Sequence, residues 1–189
     1  MNRRNFLQAA GSAAFNAAIF GGVGAGIILP ANATQPAAAP RAVARQLAFV
    51  NTHTGDTFSD AYWENGDYVP DAMAAINTVM RDHRSGEVHA IDPRLLDQLH
   101  SLSGLVEASA PFQIISGYRS PATNAALHEA SSGVATRSLH MDGRAIDIRI
   151  RGVELPRLHD AALGMNAGGV GYYEASDFIH VDTGRVRRW

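Results

Sequence analysis

The sequence lacks cysteine altogether, which excludes disulfide scaffolds, thiolate zinc sites and cysteine nucleophiles. It also lacks lysine, since all 16 basic residues are arginine, and this excludes Schiff-base and lysine-base chemistry and a phosphate loop of the Walker type. A formal net charge of −2 gives no bulk electrostatic case for nucleic-acid binding. Neither H-E-x-x-H nor G-x-S-x-G occurs, which argues against the best-known zinc peptidase motif and against serine hydrolases of the α/β class.

The composition that remains is that of a globular protein. The chain has 189 residues, of which 46% are hydrophobic and 18% charged, enough for one domain or two small ones with a good core. Helical patterns lie earlier in the chain and strand patterns cluster late, which favours the α+β class. Periodicity predicts helices at 71–83, 93–106, 121–130 and 155–163, and strands at 47–50, 57–63, 112–118, 144–150, 169–173 and 178–183.

The first 33 residues have the features of an export signal. Arg3 and Arg4 precede a glycine-rich apolar run that ends in Ala31-Asn32-Ala33, an A-x-A cleavage site. This pattern resembles a twin-arginine (Tat) signal, and that route carries folded proteins. A retained membrane anchor is the alternative, since the run is almost long enough to span a bilayer. We therefore predict a signal at 1–33, a flexible Ala/Pro-rich leader at 34–44 and the folded domain at 45–189.

Three side chains are placed to converge on one metal ion. In the strand at 144–150, three isoleucines alternate with Asp147, which therefore points away from the core. In Phe178-Ile179-His180-Val181-Asp182, His180 lies on the face opposite Ile179 and Val181. If the two strands pair, Asp147 and His180 share one side of the sheet, and His140 joins them from across the Asp142-Gly143 turn. Two imidazoles and one carboxylate suit zinc and leave a fourth position open for water.

Three further features lie beside these residues. Asp177 comes three residues before His180, where a carboxylate could act as general base on a metal-bound water or could simply cap the preceding turn. Gly168-Gly169-Val170-Gly171 does not fit G-x-G-x-x-G and indicates close backbone packing beside a site. Arg149 could belong to a solvated strand edge or could simply pair with Asp182 across strands.

These residues together resemble a known peptidase family. Ser138-x-His140-x-x-Gly143-x-Ala145-x-Asp147, followed by Phe178 to Asp182, is similar to the D-Ala-D-Ala metallopeptidase and Hedgehog-type zinc peptidase superfamily. The segment Ser116-Gly117-Tyr118-Arg119-Ser120 matches that family's arginine-bearing segment. From about Leu47 to Trp189 the chain looks most like the YcbK/MepK branch.

The resemblance implies a fold and a set of roles. The fold would be a single α+β domain whose small, mainly antiparallel sheet carries the metal site and is flanked by helices. One zinc ion would bind His140, Asp147 and His180, and Asp177 would be the general base, although many relatives place a longer glutamate there. Arg119 would bind a substrate carboxylate or the developing oxyanion, Tyr118 would belong to the substrate site, and Ser138 would bind substrate or orient His140.

The implied reaction is hydrolysis of peptide cross-links in peptidoglycan, in the periplasm or cell envelope. Two alternatives remain open, a carboxypeptidase that trims terminal D-alanine and a zinc-containing wall-binding module without turnover. The implied partner is the wall peptide rather than nucleic acid, with no stable membrane insertion after signal cleavage. An adaptor that delivers the hydrolase to the wall would be a further partner.

Overall fold

The computed structural model describes residues 43–131 and 134–189, which belong to one compact unit. The predicted signal and most of the predicted leader lie outside the described residues. Within them no helix is both long and apolar enough to cross a membrane. The elements in chain order are strands β1 (Ala44–Asn51), β2 (Thr57–Glu64) and β3 (Asp67–Tyr68), helices α1 (Pro70–Val79) and α2 (Pro93–Leu105), β4 (Phe112–Ser116), α3 (Pro121–Ala130), β5 (Ala145–Ile150), α4 (Leu155–Gly164), β6 (Gly169–Tyr173), β7 (Phe178–Asp182) and β8 (Arg187–Arg188).

The described strands form one sheet in the order β3-β2-β1-β4-β5-β7-β6-β8. Its pairs are antiparallel except for β1 with β4 and β6 with β8, so the sheet is mixed and mainly antiparallel. The α+β single-domain prediction is confirmed. The strands do not lie only in the later part of the chain, however, because β1, β2 and β3 come first and form one edge of the sheet.

Three helices cover one face of the sheet. Helices α1, α2 and α4 pack on its strands, and the core between them is built from aliphatic and aromatic side chains. Ile146, Ile148 and Ile150 face this core, at 0%, 0% and 3% exposure. Burying an isoleucine side chain contributes about 1.5 to 3 kcal/mol, so this alternation fixes which face of β5 turns inward. Asp147 therefore lies on the opposite face.

Local signals set the helix ends. The Asp92 side chain accepts a hydrogen bond from the Arg94 backbone N–H at 3.0 Å, so the predicted cap with proline at the first helical position is confirmed. Helix α1 ends at Val79 rather than near His83. There the Asp82 carboxylate accepts the backbone N–H groups of Arg84 and Ser120 at 2.9 Å each, which draws the chain out of the helix and ties it to the start of α3.

Candidate metal centre

Two neighbouring strands and one short turn bring the three predicted ligands together. Asp147 on β5 and His180 on β7 are directly paired across the sheet. His140 lies in a 3-10 helix at Leu139–Asp142, which ends at Gly143 in the left-handed conformation, with φ 64°. A side chain at Gly143 would collide with the Ala90 carbonyl, so this tight turn needs glycine. The three ligand candidates are 2%, 7% and 8% exposed for His140, Asp147 and His180.

The spacing of their donor atoms fits a tetrahedral metal ion. His180 Nδ1 lies 2.9 Å from Asp147 Oδ1, His140 Nε2 lies 3.2 Å from His180 Nδ1, and His140 Nε2 lies 3.3 Å from Asp147 Oδ1. Tetrahedral ligands at about 2.0 to 2.1 Å from zinc are separated by about 3.3 to 3.4 Å. The three residues form a group that could hold a metal ion. The predicted convergence of His140, Asp147 and His180 is therefore found in the structure.

In each imidazole, the ring nitrogen that points away from the other candidate ligands has a hydrogen-bond acceptor. This acceptor fixes the tautomer of the ring. His140 Nδ1 lies 2.7 Å from the Gly117 carbonyl oxygen, which can only accept, so Nδ1 carries the proton. His180 Nε2 donates to Asp182 Oδ2 at 2.9 Å. In their neutral forms, both rings therefore turn a lone pair towards Asp147. This arrangement of outer acceptors is the one that orients metal-binding histidines.

Asp182 is a further candidate site residue, which the sequence pattern did not single out. It is fully buried, and besides His180 it accepts from the backbone N–H groups of Gly169 and Gly184 and from both terminal nitrogens of Arg187. Burial opposes its charge, but these hydrogen bonds lower the pKa of Asp182 overall. The signal was the H-x-D spacing, because alternation on one strand puts both side chains on one face.

The suggested pairing of Arg149 with Asp182 is wrong. Arg149 instead donates to Gln113 Oε1 at 2.8 Å and to Asp177 Oδ2 at 2.9 Å. Asp182 is already matched by Arg187, which returns to the sheet as part of β8 beside β6. The cation that pairs with Asp182 is therefore Arg187 of the C-terminal segment and not Arg149 of β5.

Charge within the centre is balanced between the ligands. Burial alone would raise the pKa of Asp147, but the adjacent imidazoles of His140 and His180 lower it, which keeps the carboxylate ionised. Burial likewise opposes the charged form of His180, while hydrogen bonds to Asp147 and Asp182 outweigh it and raise the pKa of His180. An ionised carboxylate with two imidazole lone pairs is a suitable donor set for a divalent cation.

The metal centre opens into a cavity of about 360 Å³. Tyr173, Phe178 and Trp189 form an aromatic wall, in which Tyr173 stacks on Phe178 at a centroid distance of 4.6 Å. The Trp189 ring lies against His180 at 5.2 Å. Three arginines also line the cavity, and among them the exposed Arg137 has no ion-pair partner in the described part of the chain.

The glycine-rich segment does pack closely beside the site, as predicted. Gly171 is paired with His180 across β6 and β7. A side chain at Gly171 would come within 2.6 Å of the Trp189 indole. Because position 171 has no side chain, the indole can lie over the metal ligand.

Arg119 and Ser138, two of the residues assigned to substrate, line this cavity. Arg119 Nη2 lies 3.7 Å from Asp147 Oδ2, and burial lowers the pKa of the guanidinium, although it stays charged. Its Nε is buried and has no hydrogen-bond partner among the described residues. The Ser138 hydroxyl accepts from the His140 backbone N–H at 3.4 Å, and its role towards substrate or His140 stays a prediction.

Tyr118 and Asp177 lie away from the cavity lining. The buried Tyr118 ring stacks on His89 at 4.6 Å rather than facing the metal centre. Asp177 has φ 52° and its N–H donates to the Glu174 carbonyl, which is the turn-capping position weighed as the alternative. Its carboxylate, 65% exposed, pairs with Arg149. The assignments of Tyr118 to substrate binding and of Asp177 as general base stay predictions.

Comparison with known proteins identifies the family. The family model described as "Peptidoglycan L,D-endopeptidase MepK" matches residues 39–189. Relatives with that name from Escherichia coli K12 and Shigella flexneri are 44% identical over 170 residues, which cover 89% of this chain and 92% of theirs. A "Probable peptidoglycan L,D-endopeptidase MepK" from Haemophilus influenzae is 40% identical over 171 residues, 89% of this chain and 91% of its own. No solved structure matches the chain significantly. With a buried His-Asp-His centre and a match over its whole described part, this chain belongs to the MepK family of M15 peptidases.

Proposed function

We propose that this protein is a zinc-dependent endopeptidase that hydrolyses peptide cross-links of peptidoglycan, with a preference for bonds of the L,D type. One observation carries the proposal. The donor atoms of His140, Asp147 and His180 have tetrahedral spacing at the wall of an open cavity, in a chain 44% identical to proteins named peptidoglycan L,D-endopeptidase.

A zinc ion held by these three residues would polarise the scissile carbonyl and lower the pKa of an attacking water. The protein's own groups would then position the substrate. Arg119 lies against Asp147 and lines the cavity, so its guanidinium is placed to meet a carboxylate of the wall peptide. Arg137, at the cavity and without an ion-pair partner in the described residues, offers a second guanidinium to the acidic peptide. Ser138 steadies His140 through its backbone.

Asp177 is our candidate for the general base that takes the proton from the water. The assignment rests on its place three residues before His180. For this role, its carboxylate must exchange the Arg149 guanidinium for the water. Arg149 would then act as a counter-ion that releases Asp177 when substrate enters.

The site of action would be the periplasm or cell envelope, reached by the twin-arginine route that Arg3 and Arg4 suggest. Peptidoglycan lies in that compartment, so the predicted export signal and the proposed hydrolysis of peptidoglycan agree on the location. A wall-hydrolase adaptor remains a predicted partner.

The test combines metal content with product analysis. Residues 34–189 would be purified, their bound metal determined, and cross-linked muropeptides digested with and without a chelator, with products identified by mass. We expect one zinc per chain and chelator-sensitive loss of cross-linked dimers. His180→Ala should abolish both, whereas His100→Ala, which removes an imidazole packed near Tyr62 on the helix-covered side, should change neither.

Three outcomes would contradict the proposal. Release of only terminal D-alanine would make the protein a carboxypeptidase. Bound zinc with every muropeptide intact would indicate a wall-binding module. A protein that binds no metal would remove the basis of the site.

A further inference from the structure

The aromatic wall of the cavity carries one hydroxyl whose environment is unusual. Tyr173 lies at the end of β6, two residues beyond Gly171, and therefore on the same face as the glycine that pairs with His180. Its hydroxyl oxygen accepts a hydrogen bond from Trp189 Nε1 at 2.8 Å. The same indole packs against His180 at 5.2 Å. The Tyr173 hydroxyl is therefore hydrogen-bonded to Trp189, and the Trp189 ring in turn contacts the candidate metal ligand His180.

The direction of that hydrogen bond decides what the hydroxyl can do. An indole N–H can only donate, so it occupies a lone pair of the phenol oxygen and leaves the phenol proton free. Among residues 43–131 and 134–189, no acceptor for the Tyr173 O–H is present. The proton is therefore available to an acceptor that enters the cavity. Tyr173 is also close enough to Arg119 to interact with it electrostatically.

A peptide bond at the metal centre would supply such an acceptor. When water attacks the carbonyl carbon, a new C–O bond forms and the π electrons move to the carbonyl oxygen, which becomes an oxyanion. That oxygen needs donors held in place before the reaction. Arg119 is directed at Asp147, and its terminal nitrogens also lie 3.4 Å from Ser116 and Asn124, so it is engaged by the protein already.

The geometry points to Tyr173 as a catalytic residue that donates a hydrogen bond to the oxyanion, with Trp189 as the positioning residue that holds its hydroxyl. This inference rests on the proposed peptidase function. No proton is transferred in this step: the phenol keeps its proton, and the negative charge disappears when the carbonyl re-forms and the C–N bond breaks. The leaving nitrogen then takes a proton from Asp177, which in the proposed function received it from the attacking water.

The experiment compares Tyr173→Phe with Tyr172→Phe in the zinc-loaded protein. Tyr172 is the matched control, because it is the neighbouring tyrosine but packs against His159 outside the cavity. Loss of one oxyanion donor costs about 10²- to 10³-fold in kcat. We expect a loss of that size in Tyr173→Phe with KM changed less than threefold and zinc content unchanged, and no change in Tyr172→Phe. Trp189→Phe keeps the aromatic wall and removes the N–H, so it should lower kcat less and add nothing in the Tyr173→Phe background.

A binding measurement separates this inference from the proposed function. A phosphinate dipeptide has tetrahedral anionic oxygens that imitate the intermediate, and its affinity needs no turnover. We expect Tyr173→Phe to bind it at least tenfold more weakly than Tyr172→Phe. If the wild type hydrolyses no muropeptide but the difference in phosphinate affinity is observed, only the proposed function would be overturned. Equal phosphinate affinity, or a Tyr173→Phe effect confined to KM, would overturn the role of Tyr173.

Discussion

Replacing Asp182 by asparagine exchanges one carboxylate oxygen for an NH2 group and should weaken metal binding at this centre. Oδ1 of Asp182 accepts from Gly169, Gly184 and Arg187, while Oδ2 accepts from His180 and Arg187. An asparagine has one acceptor oxygen and one NH2 group, so the NH2 must face a donor in either orientation. The less costly choice puts it in the Oδ2 position, opposite His180 Nε2.

The consequence for His180 is a change of tautomer. With an NH2 donor opposite, Nε2 must become an acceptor, and the proton moves to Nδ1, the nitrogen that faces Asp147 and His140. Outer-sphere changes of this kind typically weaken metal binding 10- to 100-fold, or about 1.4 to 2.8 kcal/mol at about 1.4 kcal/mol per tenfold. We therefore expect the zinc dissociation constant of Asp182→Asn to rise 10- to 100-fold.

The assay is a zinc titration in competition with a chromogenic chelator at pH 7. The variant also loses an ion pair with Arg187, whose side chain is 30% exposed, so some loss of folding stability is expected as well. Asp97→Asn is the matched control for that loss. Its carboxylate accepts from Arg45, Tyr62 and Tyr68, away from the metal centre.

Two results would refute the reasoning. If Asp182→Asn binds zinc as tightly as the wild type, Asp182 does not determine the tautomer of His180. If Asp97→Asn weakens zinc binding to the same degree, the effect in Asp182→Asn comes from general destabilisation. Thermal melting of both variants places them on a common stability scale.

Three further predictions concern the surroundings of the site. Asp177→Asn should keep zinc and lose most of kcat if Asp177 is the base, whereas Arg149→Ala should keep or raise kcat; wild-type turnover in Asp177→Asn would exclude that role. Gly171→Ala should displace the Trp189 indole and lower kcat with little change in melting temperature, which kinetics and calorimetry on one sample would check. Burial opposes the charge of Asp82, but hydrogen bonds lower its pKa in the folded state, so its contribution to stability is complete above about pH 5 and is lost as the pH falls below its unfolded pKa of about 3.9. Asp82→Asn should therefore flatten the acid side of a plot of unfolding free energy against pH, and an unchanged slope would contradict this.

The convergence of the three candidate metal ligands could be predicted because its signal is local. Alternation in β5 and β7 separates each ligand from the core residues beside it, and one assumption about pairing then joins Asp147 to His180. The general α+β class follows from similar local patterns. The order of the strands does not, because β1 and β4 are joined through α1 and α2, and no local pattern specifies that these two strands pair in parallel.

The aromatic wall could not be predicted, for the same physical reason. Trp189 and Arg187 reach the site only because the tail runs alongside β6. Nothing in the residues around them specifies that path, since it depends on contacts with strands elsewhere in the sequence. The early end of α1 also depends on a distant partner, because Asp82 accepts the N–H of Ser120, 38 residues away.

Because Asp147 and His180 pair directly across the sheet, the candidate metal centre forms only when β5 and β7 have the correct register. The two residues are 33 positions apart in the chain and meet only when β5 and β7 are aligned as they are here. A slip of one residue would turn Asp147 towards the helix-covered core and turn an isoleucine of β5 towards His180. A chain with that error could keep most of its secondary structure and would still have no three-ligand centre. Zinc binding during refolding would therefore report the fraction of molecules in which β5 and β7 have the correct register. Circular dichroism alone does not distinguish these molecules from those with a shifted register.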